Sequence, residues 1–167
     1  MTAFEIRPAT TADVRVIQQL VEPLVNQRIL LGKDLVVFYE AVQEFRVAVS
    51  PGGDVIGCGA LHVMWQDLAE VRTLAVASEW LGKGVGHALL DQIERDARTL
   101  GLDRLFCLTF ETEFFSRHGF APVAEEIVDP VVFAQLALSP DEGVAEFLDL
   151  SRVKPNTLGN TRMLKRL

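Results

Sequence analysis

The chain has little positive charge for its length. Its 167 residues hold 16 Lys or Arg against 23 Asp or Glu, so the formal net charge is -7 at pH 7. Nucleic-acid binders and proteins of anionic membrane surfaces usually carry a basic excess or a basic patch. The balance therefore argues against both classes, and we expect neither nucleic acid nor membrane among the partners. An acidic substrate would need a local cluster of arginine or lysine.

Long apolar runs and cysteines are also scarce. No run of about 18 apolar residues exists, so no transmembrane helix is expected. Residues 1–7 lack the apolar centre of a secretory signal peptide. The two cysteines, Cys58 and Cys107, lie in apolar strand-like runs. We interpret them as buried thiols rather than a disulfide, which predicts a reducing, cytoplasmic location.

The order of predicted elements indicates a mixed α/β protein in one domain. The pattern β-α-α-β-β-β-α-β-α-β includes a three-strand antiparallel meander at 44–77. A capping signal at 10–13 begins the first helix, and Pro23 should kink or end it near its middle turn. The strands are predicted at 4–7, 44–50, 55–65, 68–77, 104–110 and 120–124, and the later helices at 34–43, 83–100 and 113–118.

The pattern weakens beyond Glu125. Residues 130–138 are interpreted as a helix and residues 145–150 as a strand. The polar, turn-rich stretch 154–163 is either a frayed tail or an ordered cover over the site.

The most informative motif is Leu81-Gly82-Lys83-Gly84-Val85-Gly86, here called the glycine turn. It follows an apolar strand and opens a strongly periodic helix. Glycine lets the backbone approach a ligand closely, and the first turn of a helix offers unpaired N–H donors. The motif therefore predicts a phosphate or pyrophosphate site. Its spacing matches neither a P-loop nor the dinucleotide fingerprint, so both nucleotide folds fit poorly.

The element order and the glycine turn resemble the GNAT family, the Gcn5-related N-acetyltransferases. The family's acetyl-CoA motif is Gln or Arg, two residues, Gly, one residue, Gly or Ala. Gly84 and Gly86 match it, whereas Leu81 stands where Gln or Arg is usual, and residues 114–120 resemble the aromatic helix that ends in Gly-Phe. The resemblance, over residues 4–123, implies a mostly antiparallel mixed sheet flanked by helices. It also implies acetyl-CoA as co-substrate and no metal.

A narrower resemblance is to the N-acetylglutamate synthases and to short bacterial amino-acid N-acetyltransferases of arginine biosynthesis. It is carried by residues 6–10, 23–30, 104–109, 115–120 and 156–163. It implies a single N-acetyltransferase domain over 1–167, with a core at about 4–125 and a C-terminal extension at 126–167. It further implies acetylation of the α-amino group of L-glutamate, without a kinase-like domain to carry arginine feedback.

The implied reaction needs a base, because free α-amines are largely protonated near neutral pH. Glu70 is our candidate, since several GNAT members carry a catalytic glutamate at this position. The alternative is a solvated strand carboxylate or a partner for Arg72. By family analogy, backbone N–H groups at Leu74, Ala75 and Val76 would stabilise the oxyanion.

The general acid stays open. Many family members use a tyrosine where this chain has Phe115, and the chain's one tyrosine, Tyr39, lies far from that motif. The thiolate of CoA is a good leaving group, so a protein acid is not required. Cys107 could be an acetyl-accepting thiol, but a buried strand cysteine is the preferred interpretation.

The resemblance also assigns residues to binding. The expected cofactor-binding residues are Leu74, Ala75, Val76, Leu81, Gly82, Lys83, Gly84, Val85, Gly86, His87, Phe114 and Arg117. For Lys83, His87 and Arg117 the alternative is an ordinary surface side chain.

An amino-acid substrate offers carboxylates, for which arginine is the natural partner. Arg28, Arg72 and Arg162 are the candidates. The longer synthases carry an arginine where this chain has Phe110, so L-glutamine is an alternative to L-glutamate. Arg162 could supply the missing charge.

Two other functions stay open. The first is a GNAT enzyme for another amine, such as a protein N-terminus, an antibiotic or a polyamine; a cationic acceptor would suit the net charge. The second is a non-catalytic acetyl-CoA-binding or dimerising module, because Leu81 and Phe115 depart from the family pattern. A homodimer is compatible with all of these interpretations.

Overall fold

A seven-strand sheet organises the residues that the computed structural model describes, which are 3–124, 127–150 and 160–167. The strand order is β1-β2-β3-β4-β5-β7-β6. The strands are β1 (Glu5–Pro8), β2 (Phe45–Val49), β3 (Val55–Trp65), β4 (Leu68–Val76), β5 (Arg104–Thr109), β6 (Ala121–Pro122) and β7 (Thr161–Arg166). Strands β4 and β5 pair in parallel, whereas β1–β2, β2–β3, β5–β7 and β6–β7 are antiparallel. The predicted mixed, mostly antiparallel sheet is confirmed.

Six α-helices accompany the strands within the described ranges. They are α1 (Val14–Asn26), α2 (Leu35–Glu40), α3 (Val85–Thr99), α4 (Thr112–Arg117), α5 (Pro130–Leu136) and α6 (Glu142–Phe147). The bounds of β3 match the prediction, and the other predicted elements before residue 125 differ only at their ends. Helix α1 continues through Pro23 to Asn26, so the proline lies in its last turn and not at a mid-helix break. None of these helices has both the length and the apolar character that a membrane crossing requires.

The sequence prediction was wrong at two places near the C-terminus. Residues 145–150 were expected as a strand, but α6 covers Glu142–Phe147. The Asp141 side chain accepts a hydrogen bond from the Val144 N–H at 3.0 Å and caps this helix. Residues 161–163 were expected in a polar stretch that is either a frayed tail or an ordered cover, but they begin β7, which lies between β5 and β6. The rest of that predicted tail, 154–159, lies outside the described residues.

The chain divides into two units, Met1–His62 with Val71–Asp96, and Val63–Glu70 with Ala97–Leu167. In the first unit, α1 packs Val14, Ile17 and Val21 onto side chains of β2 and β3. Helix α3 lies close to β3, because Gly57 and Gly59 leave room for it. A Cβ on Gly57 would stand 2.9 Å from Val85, and one on Gly59 would stand 2.9 Å from Ile93. The start of α3, and with it the glycine turn, is thereby fixed against the sheet.

The second unit has its own core, built on β5. Phe106 of β5 and Phe147 of α6 stack edge to face, with ring centroids 4.8 Å apart. The other buried members of this cluster are Met64, Leu68, Leu136, Val144 and Leu148. Helices α5 and α6 therefore pack on the face of the sheet from which Phe106 projects.

An ion pair connects β1 to the start of α1. Asp13 accepts hydrogen bonds from both terminal nitrogens of Arg7, at 2.8 and 3.0 Å, and from the Thr10 N–H at 2.7 Å. Chiefly through the Arg7 bonds, the pKa of Asp13 falls from 3.8 to about 2. The folded state therefore prefers the ionised carboxylate.

Replacing Asp13 by Asn should lower the free energy of unfolding by roughly 2 kcal/mol at pH 7. The folded pKa is depressed, so this stabilisation is present above the unfolded pKa and is lost as pH falls through 3.8 towards 2. The difference in the free energy of unfolding between wild type and variant should shrink by about 1 kcal/mol from pH 7 to pH 3. Urea unfolding at both pH values measures this difference, and a difference that stays constant would contradict the assignment.

Candidate active site

The glycine turn has the backbone geometry of an anion site. Gly82 and Gly84 have φ of +75° and +84°, a region that favours glycine. Helix α3 begins at Val85, and the Ala88 N–H donates to the Gly84 carbonyl at 3.0 Å. The N–H groups of residues 85–87 therefore precede this first intrahelical hydrogen bond, and they lie at the positive end of the helix dipole.

One cation is held beside this turn. The Lys83 Nζ lies 5.0 Å from the centroid of the Trp80 ring, and Phe4 packs edge-on against that ring at 6.4 Å. Leu81 is 64% exposed, and His87 is also exposed. Lys83 therefore supplies a positive charge within the glycine turn, whereas the side chain of Leu81 carries no charge.

The predicted oxyanion donors follow an irregular point in β4. Thr73 adopts φ of +57°, which is uncommon for a non-glycine residue and costly within a strand. The Cys58 thiol donates to the Thr73 carbonyl at 3.4 Å. Beyond it, Leu74 and Val76 pack with Trp80 in the cluster around Val85 and Leu89. The structure thus brings the end of β4 and the glycine turn together in the first unit.

Two of the three candidate arginines also belong to the first unit. Arg28 follows α1, is exposed, and has φ of +59°. Arg72 lies on β4 and is half-buried. Their roles in substrate binding stay predictions.

Glu70 and Arg162 lie in the second unit, on one face of the sheet. Glu70 pairs with Phe106 across β4 and β5, and Leu108 pairs with Arg162 across β5 and β7. Paired residues project their side chains from the same face, and so do residues two apart on one strand. Glu70 is 8% exposed, which does not fit the solvated carboxylate that the sequence left open.

The Arg162 guanidinium is held between two aromatic rings. Its central carbon lies 5.9 Å from the ring centroids of both Phe106 and Phe147, and its Nη2 donates to the Phe147 carbonyl. The planar fork is therefore fixed before any ligand arrives. Such a fork matches a carboxylate in a bidentate way.

Arg162 borders a cavity of about 220 Å³, here called the Arg162 cavity. Its lining residues are Leu108, Val123, Ala124, Glu146, Asp149, Asn160 and Arg162. Glu146 is 8% exposed, whereas Asp149 is exposed. The Asn160 Oδ1 is buried and has no hydrogen-bond partner among the residues that the structure describes. The cavity is lined by the guanidinium of Arg162, the carboxylates of Glu146 and Asp149 and the amide of Asn160. This set is suited to a small polar molecule.

The aromatic rings of Phe114 and Phe115 on α4 form one packed cluster with the ring of Phe120. Phe115 is 6% exposed and packs against Phe114 and Phe120, with centroids 5.1 and 5.2 Å away. A phenyl ring cannot donate a proton. Arg117 forms an exposed ion pair with Glu113, and Phe110, after β5, is 42% exposed.

Both cysteines are free and buried, as the sequence predicts. Burial raises the pKa of Cys58 to about 12. Burial also raises the pKa of Cys107, and the negative charge of Glu70 adds to the effect. Both thiols are therefore protonated near neutral pH, which weakens the alternative of Cys107 as an acetyl acceptor.

No role was predicted for Glu146, Asp149 or Asn160. Glu146 and Asp149 were assigned to a strand, and Asn160 to the polar stretch 154–163. Asp141 preceding Glu142 is a helix-start pattern, and it could have identified α6 and the burial of Glu146 on it. In the described ranges, no group of three or more His, Cys, Asp or Glu side chains is arranged to hold a metal ion.

Known proteins resemble the chain over nearly its whole length. The model of the Acetyltransferase (GNAT) family matches residues 18–120. An amino-acid acetyltransferase of Mycobacterium tuberculosis is 56% identical over 161 residues, which are 95% of this chain and 92% of that protein. A Mycobacterium tuberculosis crystal structure in complex with CoA matches with a TM-score of 0.94 at 55% identity, covering 98% of this chain and 99% of that one. The N-acetylglutamate synthase of Neisseria gonorrhoeae, complexed with coenzyme A and N-acetyl-glutamate, matches with a TM-score of 0.77 at 27% identity, covering 98% of this chain and 35% of that one.

Proposed function

The chain belongs to the GNAT acetyltransferase family, and we propose that it transfers the acetyl group of acetyl-CoA to the α-amino group of an amino acid. The finer proposal is that the acceptor is L-glutamate or L-glutamine, and that the reaction is the first step of arginine biosynthesis. One observation carries the acceptor class: Glu70 and the fork of Arg162 share one sheet face, and Arg162 borders a cavity of about 220 Å³. That volume is below the usual range for drug-sized ligands and suits a small metabolite.

Arg162 is our candidate for binding the acceptor's carboxylate. Its fork is already held by two rings and one carbonyl, so little rotamer freedom is lost on binding. Arginine also stays protonated at any pH at which the enzyme would work. A bidentate contact would fix both the position and the orientation of the α-carbon.

Glu70 is our candidate general base. It shares the sheet face of Arg162, and as a carboxylate it can accept the proton that the α-ammonium group must lose before it becomes nucleophilic. Acetyl-CoA supplies the acetyl group as a thioester. The N–H groups at Leu74, Ala75 and Val76, beyond the left-handed Thr73, stay our candidates to bind its oxygen.

The glycine turn is our candidate site for the pyrophosphate of CoA, and the CoA complexes of both structural relatives support CoA binding. The outward N–H groups of 85–87 would donate to phosphate oxygens. Lys83, held over Trp80, would supply the charge that Leu81 lacks. Phe114 and Arg117 remain proposed contacts of the coenzyme.

Replacing Lys83 by Met should weaken CoA binding by about fivefold to tenfold, since an exposed cation beside a phosphate contributes about 1 kcal/mol. The change should also reduce the salt dependence of the CoA dissociation constant. Calorimetric titration at two salt concentrations measures both effects. Lys33→Met removes the same charge outside the glycine turn and serves as control; equal losses in the two variants would contradict the assignment.

The proposed function is tested by steady-state release of free CoA thiol with acetyl-CoA and each of the twenty amino acids. We expect L-glutamate or L-glutamine to give the highest kcat/KM. Turnover with peptides or polyamines alone would instead favour the other-amine enzyme. CoA binding without turnover on any amine would favour a non-catalytic module.

A further inference from the structure

One residue of β4 is held in an uncommon backbone conformation. Thr73 has φ of +57°, a region that is sterically costly for a β-branched side chain. Such a conformation persists only where the surrounding structure holds it, and it is found mainly at functional sites. The contacts of Thr73 therefore indicate what keeps the following residues of β4 in place.

The Cys58 thiol, on β3, contacts the backbone of β4 on both sides of Leu74. It donates to the Thr73 carbonyl at 3.4 Å, and its sulfur accepts a hydrogen bond from the Ala75 N–H. The side chain is fully buried, in the cluster that contains Ile17 of α1. Burial raises the pKa of Cys58 to about 12, so the thiol keeps the proton that it donates. A single side chain therefore fixes the backbone at the residue before Leu74 and at the residue after it.

The backbone N–H groups of this segment point to two different edges of β4. The Ala77 N–H donates to the Ile56 carbonyl of β3 at 2.8 Å, and the Ala75 N–H is directed to the same strand. Successive residues of a strand direct their N–H groups to opposite edges. The N–H groups of Leu74 and Val76 therefore point away from β3, and Ala75 is the least suited of the three predicted oxyanion donors.

From these contacts we infer that Cys58 is a positioning residue for acetyl transfer, because its thiol holds the Thr73 turn that directs the N–H groups of Leu74 and Val76 towards the thioester oxygen. The inference rests on the proposed function, in which N–H groups of this segment bind that oxygen. Such donors stabilise an oxyanion only when they are in position before the reaction. Loss of the thiol contact would let the segment shift, which lowers the rate of transfer more than it weakens CoA binding.

The first test compares variants that remove or keep the donor at residue 58. Cys58→Val fills a similar space without a donor, and its kcat with acetyl-CoA and L-glutamate or L-glutamine should fall about tenfold. Cys58→Ser keeps an O–H donor and should retain at least about a third of the wild-type kcat. In both variants the dissociation constant for CoA should stay within about twofold of wild type.

Val47→Ala is the matched control. Val47 pairs with Cys58 across β2 and β3 and lies in the same buried cluster, but its side chain has no hydrogen-bonding group. Its truncation should lower the free energy of unfolding and leave kcat within about twofold of wild type. Equal losses of kcat in Val47→Ala and Cys58→Val, or a Cys58→Ser variant as slow as Cys58→Val, would overturn the inference. If Cys58→Val does not fold, Cys58→Ala removes the donor without adding bulk, and the same loss is expected.

A second measurement needs no acceptor. Infrared spectra of bound acetyl-CoA, isotopically labelled at the thioester carbonyl, report the hydrogen bonds that its oxygen accepts. In wild type the carbonyl stretch should lie below its value in free acetyl-CoA; it should return towards that value in Cys58→Val and stay lowered in Cys58→Ser. The same stretch in wild type and Cys58→Val would overturn the inference while leaving the acetyltransferase proposal intact. Wild type without turnover on any amine would overturn the proposed function, and the infrared comparison would still decide the role of Cys58.

Discussion

Replacing Glu70 by Gln is expected to lower kcat by roughly 10²- to 10³-fold, the usual contribution of a general base. Glutamine keeps the size of the side chain and its capacity to accept hydrogen bonds, but it cannot take a proton from the α-ammonium group. Glu70 is buried beside Phe106, so a side chain of equal size preserves the packing. The KM for acetyl-CoA should stay within about twofold of wild type, because the base acts on the acceptor.

Matched variants separate this role from a structural one. Glu142→Gln, which removes an exposed carboxylate, should keep the wild-type kcat. An unchanged kcat in folded Glu70→Gln would remove this residue from catalysis. If Arg72→Met lost the same rate, a Glu70–Arg72 pairing would be the better account.

Replacing Arg162 by Met is expected to raise the amino-acid KM by roughly 30- to 100-fold, equivalent to about 2–3 kcal/mol for a charged hydrogen-bonding group. Arg162→Lys should lie between wild type and Met, because it keeps the charge but loses the bidentate fork. The dissociation constant for CoA, measured by calorimetry, should not change.

A control on the same strand isolates the effect of the guanidinium. Arg166 lies on β7 and is exposed. Arg166→Met should therefore leave the amino-acid KM near its wild-type value. Thermal melting of each variant checks the packing of Arg162 against Phe106 and Phe147. An amino-acid KM that is unchanged in Arg162→Met, or a rise confined to acetyl-CoA, would exclude Arg162 from the acceptor site.

Local sequence patterns predicted the first part of the fold well. Strand β3 and the glycine turn are marked by signals within a few residues, namely apolar runs bounded by turns and glycines before a periodic helix. These signals arise from the short-range steric preferences that also determine the local backbone conformation. The positive φ of Gly82 and Gly84 agrees with that prediction.

The part around Arg162 was harder to predict, for two physical reasons. Residues 145–150 are a short, mainly apolar run, which does not distinguish a strand from a buried helix, but the Asp141 cap and burial on several sides favour a helix. Strand β7 has a polar sequence, and pairing with β5 and β6, far away in the chain, determines its conformation. Local propensity contains no information about such distant partners. Glu146 was missed because the residues around it were assigned to a strand and not to the capped helix α6.

The position of β7 between β5 and β6 has a consequence for how the protein acquires its structure. The β5–β7 ladder joins residues roughly fifty to sixty positions apart, so closing this loop costs more entropy than forming the adjacent β4, glycine turn and α3. We therefore expect β4, the glycine turn and α3 to become protected first, and the Arg162 cavity to form late in refolding. Pulse-labelling hydrogen exchange would then detect an intermediate with a protected α3 and an exchanging β7. A chain released from the ribosome before residue 161 would lack β7 and, with it, the Arg162 side of the cavity.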